Sequence, residues 1–160
     1  MSDGIDLKIS NLKAFNKKLQ ATLDDNKVKE YVTRATLMVQ NTAKKSIQAG
    51  GTGKEYQKYT PRRTHRASAP NNPPATDTGF LVSQITMDVD VKANGSVVGQ
   101  IISSAPYSKH LEFGTVNMTE RPFMQPALMK NKRKIETMFK KGILKWALVN
   151  LHYRQLFITH

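Results

Sequence analysis

Residues 105–128 read APYSKHLEFGTVNMTERPFMQPAL. This stretch either holds a reaction centre or joins two halves of a fold. Tyr107, His110 and Glu112 fall within six residues, and imidazole and carboxylate trade protons near neutral pH. On a helix begun by Pro106, however, Tyr107 and His110 are three apart and share a face, while Glu112 is two from His110 and points elsewhere. The structural reading is therefore stronger. Pro106 opens a short helix through Leu111, and Phe113-Gly114-Thr115 ends it. Arg121-Pro122-Phe123 then imposes an extended approach that seats Phe123 and Leu128 in the core. Glu112 and Arg121 become candidates for an ion pair that locks this turn or bridges subunits.

Outward from the junction, both flanks are periodic. Upstream, Ile85, Met87, Val89 and Val91 alternate with Thr86, Asp88 and Asp90, the pattern of a half-buried strand. Ala93-Asn94-Gly95 predicts a hairpin with positive φ at Asn94-Gly95, and Ser96–Ser103 is the returning strand. Thr78-Gly79-Phe80-Leu81 opens a short turn or helix before this pair. Downstream, Leu128, Ile135, Met138, Phe139, Trp146 and Val149 trace one face of a helix from Met124 or Pro126 to about Asn150. Lys130, Lys132, Arg133, Lys134, Lys140, Lys141 and Lys145 stand against that face, with Glu136 the only acid among them. The run ILKWALVNL after Gly142 is apolar nearly all round, which predicts burial against a neighbour. Residues His152–His160 suit a strand or a docking tail.

Two helices are predicted near the N-terminus. Leu12, Phe15, Leu19 and Leu23 give Ser10–Leu23 a short amphipathic face. After the cap-type residues Asp24-Asp25-Asn26, Val28, Val32, Ala35, Val39, Ala43 and Ile47 define a longer helix that ends at Ala49-Gly50-Gly51. The two are expected to pack as a pair. Between Gly50 and Thr76 this patterning stops, and three of the nine glycines and four of the seven prolines fall here. With Lys54, Lys58, Arg62, Arg63, His65 and Arg66 and few aliphatics, this stretch buries no core of its own and reads as a long basic loop or arm. The fold class expected is α+β: a helical pair, a small antiparallel hairpin or sheet, a long C-terminal helix and the basic loop. Residues 1–150 form one such domain and 151–160 a tail, since 160 residues leave no room for a second core.

Composition narrows the chemistry. The formal net charge of +13 attracts anions, whether nucleic acid, acidic protein or anionic membrane. The absence of cysteine excludes disulfides, thiol nucleophiles and the usual structural zinc sites. His65, His110, His152 and His160 lack metal-ligand spacing, so neither a metal nor a cofactor is expected. No run approaches a membrane span, and the N-terminus has no signal pattern, which predicts a soluble chain without a membrane partner. No Ser-His-Asp order, HExxH or phosphate-cradling glycine loop appears, so a small nuclease using His110 and Glu112 ranks last. Tyr56 and Tyr59 interleave with Lys54, Lys58, Arg62, Arg63 and Arg66, a mix that suits phosphates and stacked bases. Carboxylates attract guanidinium by the same bidentate geometry, and the alternative of an acidic protein partner stays open. Lys130, Arg133 and Lys134 extend the same basic field.

Three pieces stand in a particular order: HRASAPNNPPATDTGFL, the hairpin, and APYSKHLEFGT with RPFMQPAL at the head of the long basic helix. Together, over about residues 10–150, they resemble the tail-completion or head-tail joining proteins of tailed phages, a family of minor tail components. The most specific marks are Thr78-Gly79-Phe80-Leu81, Tyr107 with Glu112-Phe113-Gly114-Thr115, and Arg121-Pro122-Phe123 with Pro126-Ala127-Leu128. The resemblance implies a non-enzymatic virion protein, assembled in the host cytoplasm as a ring, expected to be a hexamer, at the neck or upper tail. Its partners would be its own copies, neighbouring terminator, stopper or tail-tube proteins, and the DNA in the lumen. Tyr107, Glu112, Phe113, Gly114, Arg121, Phe123 and Trp146 are the expected interface residues. The competing reading is a basic nucleic-acid-binding protein with a regulatory or packaging role.

Overall fold

The computed structural model describes residues 25–59 and 62–156, with side chains described from Asn26 to Gly142. The expected Ser10–Leu23 helix lies outside the described residues. Helix α1 spans Asp25–Gln48, strands β1 and β2 span Glu55–Tyr59 and Arg62–Arg66, and the one-turn helix α2 spans Phe80–Ser83. Strands β3 (Ile85–Val91) and β4 (Val97–Ser103) follow, then α3 (Ser108–Phe113) and α4 (Met124–Leu156). The strands form two separate antiparallel pairs, β1 with β2 and β3 with β4. This is the α+β class expected.

Helix α1 is the centre of the packing. Along its predicted face burial deepens: Val28, Val32 and Ala35 are half-buried, whereas Val39, Ala43 and Ile47 are buried. One side receives the β3–β4 pair, the other α4. Leu81, Ile85, Ala105, Phe123 and Ala127 complete the core, with Ile47, Ile85 and Phe123 its largest fully enclosed side chains. Each of those three is worth about 1.5–3 kcal/mol of transfer free energy. Two buried amides fix the orientation of these layers. Gln40 Nε2 donates to the Ile85 carbonyl at 3.1 Å, tying α1 to the start of β3. Asn131 Nδ2 donates at 2.8 Å to both Thr42 Oγ1 and the Ala127 carbonyl, tying α4 to α1. With Tyr31 against Phe139 at 5.8 Å between ring centroids, these contacts run α1 and α4 antiparallel.

The sheet approaches α1 most closely at Gly99. A Cβ there would overlap Thr36 Oγ1 and lie 3.1 Å from a Val32 methyl. Thr36 cannot simply turn away, because its hydroxyl donates to the Val32 carbonyl at 2.8 Å. Gly99→Ala is therefore expected to destabilise the fold by about 1–3 kcal/mol in urea denaturation, the usual range for overpacking.

Several expectations need correction. The supposed basic loop contains the β1–β2 hairpin, in register from Glu55 opposite Arg66 to Tyr59 opposite Arg62. The segment after it is also fastened to the body: Asn71 N–H reaches the Glu120 carbonyl at 2.9 Å and Thr76 N–H the Ile47 carbonyl at 3.2 Å. In the β3–β4 turn only Gly95 has positive φ, not Asn94. Asn94 instead accepts from the Ser96 N–H and hydroxyl at 3.0 and 2.7 Å, which supports a loop longer than the two-residue type. Leu128, expected in the core beside Phe123, is half exposed. Helix α4 continues through Leu156, so residues 151–156 are helical and not a strand. Trp146 falls on this helix, beyond the described side chains.

Candidate functional site

Glu112 organises the 105–128 junction. It sits on α3, which starts at Ser108, two residues later than Pro106 suggests, and it is buried. Its Oε2 accepts the backbone N–H groups of Phe123 and Met124 at 2.8 and 3.0 Å, and its Oε1 accepts that of Gln125 at 2.9 Å. These are the N–H groups that the first turn of α4 cannot satisfy from within the helix. The next residue, Pro126, has no N–H at all. One carboxylate thus satisfies every donor at the head of a 33-residue helix, and its charge lies at the positive end of the helix dipole.

The expected Glu112–Arg121 pair does not form, because the Glu112 oxygens are committed to these amides. Arg121 helps through its backbone N–H, which donates to the Leu111 carbonyl at 2.6 Å, while its side-chain Nη1 donates to the Thr119 carbonyl at 3.0 Å. Gly114 has φ 72° and ψ −177°, a conformation open in practice only to glycine. A Cβ there would also lie 2.8 Å from the Met118 carbonyl oxygen. Thr115 and Met118 close the following turn with reciprocal backbone hydrogen bonds of 2.8 and 3.2 Å.

As a proton-transfer site the group fails on placement. His110 is exposed while Glu112 is buried with both oxygens occupied. Among the described residues, no cluster of three His, Cys, Asp or Glu side chains is placed to hold a metal ion. Of the expected interface residues, Glu112 and Phe123 are enclosed within the chain. Tyr107 and Phe113 remain at the surface, Phe113 72% exposed and Tyr107 tilted against the equally exposed Phe80 at 6.3 Å.

The β1–β2 hairpin is the second feature. Pairing puts Tyr56, Lys58, Arg63 and His65 on one face and Glu55, Gln57, Tyr59, Arg62, Thr64 and Arg66 on the other. The first face meets Asp77, whose carboxylate pairs with Lys58 and Arg63, with His65 Nδ1 4.0 Å away. The other face carries the Glu55–Arg66 ion pair and a Gln57 Nε2 to Thr64 Oγ1 hydrogen bond of 3.0 Å. Lys58, Arg63 and Arg66 are thus engaged inside the chain. Lys54, Arg62, Lys130, Arg133 and Lys134 form no ion pair among the described residues. Tyr56 and Tyr59 are both exposed on the hairpin, Tyr59 the more so.

Asp77 is the attachment point of the arm. The Lys58 hydrogen bond holds its carboxyl below the usual range, aided by the charges of Arg63, Lys58 and His65 and opposed by partial burial. Since the folded value lies below the unfolded one, the attachment is complete above the ordinary carboxylate range and is lost as pH falls through the depressed value. Asp77→Asn should accelerate amide exchange at Gly53 and Ala67, whose N–H groups close the hairpin root. The same substitution should remove the acid-dependent loss of protection at these two amides, measured relative to their intrinsic exchange rates.

No family model, curated protein or solved structure matches the chain.

Proposed function

We propose that this chain is a non-enzymatic structural protein of a tailed-phage virion. It completes the tail and joins it to the DNA-filled head at the neck, as a homo-oligomeric ring around the DNA exit path. The observation that carries this reading is the use made of the marks on which the resemblance rests. Glu112, Gly114 and Phe123 are spent on seating α4, leaving Tyr107 and Phe113 exposed beside the rigid turn. A closed ring requires two unlike surfaces, one on each side of every copy. The Tyr107–Phe113 end and the hairpin arm are two such surfaces. A two-stranded hairpin is marginal on its own, and one held to the body by polar contacts at Asp77, with no apolar face, suits ordering against a neighbour.

Electron microscopy of particles made without this chain tests the proposal. Filled heads and finished tails that fail to join are expected, and normal joined infectious particles would end it. The unpaired cations at Lys54, Arg62, Lys130, Arg133 and Lys134, with Tyr56 and Tyr59, favour one other reading, a nucleic-acid-binding protein. That reading requires salt-sensitive DNA binding by the free protein with a sequence preference, and a flat titration at low salt removes it.

A further inference from the structure

Between α1 and α4 runs an open trough of about 840 Å³, walled by Val32 and Val39 of α1 and by Ile135 and Phe139 of α4. Its third side is β4, which contributes Gly99, Ile101 and Ser103, whereas no residue of β3 lines it. Among the described residues β3 and β4 pair only with each other, so the sheet stops at β4. The trough is therefore bordered by the free edge of β4, where alternate backbone N–H and C=O groups have no strand partner among those residues. An apolar trough beside an open strand edge has the form of a missing third strand. Backbone hydrogen bonds wait on one side, and space for every second side chain on the other.

We propose that Ile5–Ile9 of a second copy of this chain supplies that strand, antiparallel to β4, with Ile5, Leu7 and Ile9 in the trough. The pattern selects this segment first. Ile5-Asp6-Leu7-Lys8-Ile9 alternates strictly, the period of a half-buried strand. Ser10, a favoured N-cap residue, divides it from the helix expected at Ser10–Leu23. The fit is the second argument. Three apolar positions spaced two apart meet Ser103, Ile101 and Gly99, and the small Ser103 and Gly99 leave room for larger partners. Charge is the third. Residues 1–10 carry two carboxylates, Asp3 and Asp6, against the single ammonium of Lys8, in a chain of net charge +13. Antiparallel pairing brings Asp3 to the Ser103 end, where Lys109 lines the trough and forms no ion pair among the described residues.

The donor is a neighbour because of where α1 begins. It is already helical at Asp25, so Asp24 alone separates it from the expected Ser10–Leu23 helix. Continued along the line of α1 at 1.5 Å per residue, that helix carries Ile9 about 24 Å beyond Asp25. The trough starts near Val32, about 10 Å in the opposite direction. The segment thus leads away from its own trough and toward that of the next copy. A strand given by each copy to the next is a head-to-tail contact, the kind that closes rings. This inference rests on the self-association within the proposed function and not on the virion assignment.

The natural absence of cysteine makes the test clean. The pairing sets Lys8 opposite Gln100, which is exposed. When Lys8→Cys and Gln100→Cys proteins are mixed and oxidised, disulfides joining the two unlike chains are expected. Lys8→Cys mixed with Val116→Cys, at a fully exposed turn, should give none. A second measurement does not depend on register: Leu7→Asp, which puts a carboxylate in the trough, should weaken self-association at least tenfold in sedimentation equilibrium and leave the urea midpoint unchanged. In a Lys8→Cys, Gln100→Cys double variant, disulfides only within one chain would return the strand to its own molecule and overturn the proposal. Equal linkage to Gln100→Cys and Val116→Cys, a protein that stays monomeric, or self-association unaltered by Leu7→Asp would overturn it as well, the last leaving a ring built on other surfaces. Joined particles formed without this chain would instead end the virion assignment alone.

Discussion

Glu112→Ala should lower the unfolding free energy by about 3 kcal/mol, and Glu112→Gln by about 2 kcal/mol, in urea denaturation at neutral pH. Alanine leaves the Phe123, Met124 and Gln125 N–H groups without an acceptor, and the Phe123 N–H lies beside the core, where water is a poor substitute. Glutamine keeps the shape and one acceptor oxygen, but it turns an amide NH₂ toward backbone donors and removes the charge from the helix N-terminus. Helix α4 packs against α1 through Asn131 and Phe139. A frayed first turn therefore loosens the α1–α4 contact too. His110→Ala, at an exposed neighbour, should change stability by less than about 0.5 kcal/mol.

Phe123→Ala carries the largest expected loss, about 3–5 kcal/mol. The ring is 1% exposed and packs in the same core as Ile47, Ile85 and Ala127, between elements distant in sequence. Its removal leaves a cavity where α1, β3 and α4 converge, and the rigid turn before α4 limits how far the walls can collapse. Against a typical domain stability of about 5–15 kcal/mol, such a loss is a large fraction of the total. Phe123 and Glu112 act on one helix end, so their effects should not add: the double alanine variant should lose less than the sum of the single losses. Independent losses would mean that the carboxylate and the ring do not act as one unit.

Where hydrophobic periodicity encodes structure, the sequence was readable. Helix α1 buries Val39, Ala43 and Ile47 and β3 buries Ile85 as their spacing marks, and α4 partly buries Ile135, Met138 and Phe139, whereas Leu128 and Val91 stay exposed. The β1–β2 hairpin was missed for the same reason in reverse. Its strands, EYQKY and RRTHR, have no apolar face and are held by the Lys58–Asp77, Arg63–Asp77 and Glu55–Arg66 pairs. The one available signal was β-forming Tyr56, Tyr59 and Thr64 flanking Thr60-Pro61. The capping role of Glu112 was hidden by distance along the chain. An ordinary capping residue lies within a few positions of the amides it binds, whereas Glu112 reaches the head of α4 from a separate helix. Within residues 105–128 Glu112 binds the amides at the head of α4 and not Arg121. Arg121 is bound through its backbone and to Thr119.

That residues 105–128 form a structural junction and not a reaction centre is tested most directly by amide hydrogen exchange at Phe123, Met124 and Gln125. In Glu112→Gln these three amides should exchange at least tenfold faster than in the parent protein, while His110→Ala leaves them unchanged. Equal exchange in the parent and Glu112→Gln would contradict the capping role and return Glu112 to the list of groups free to do chemistry.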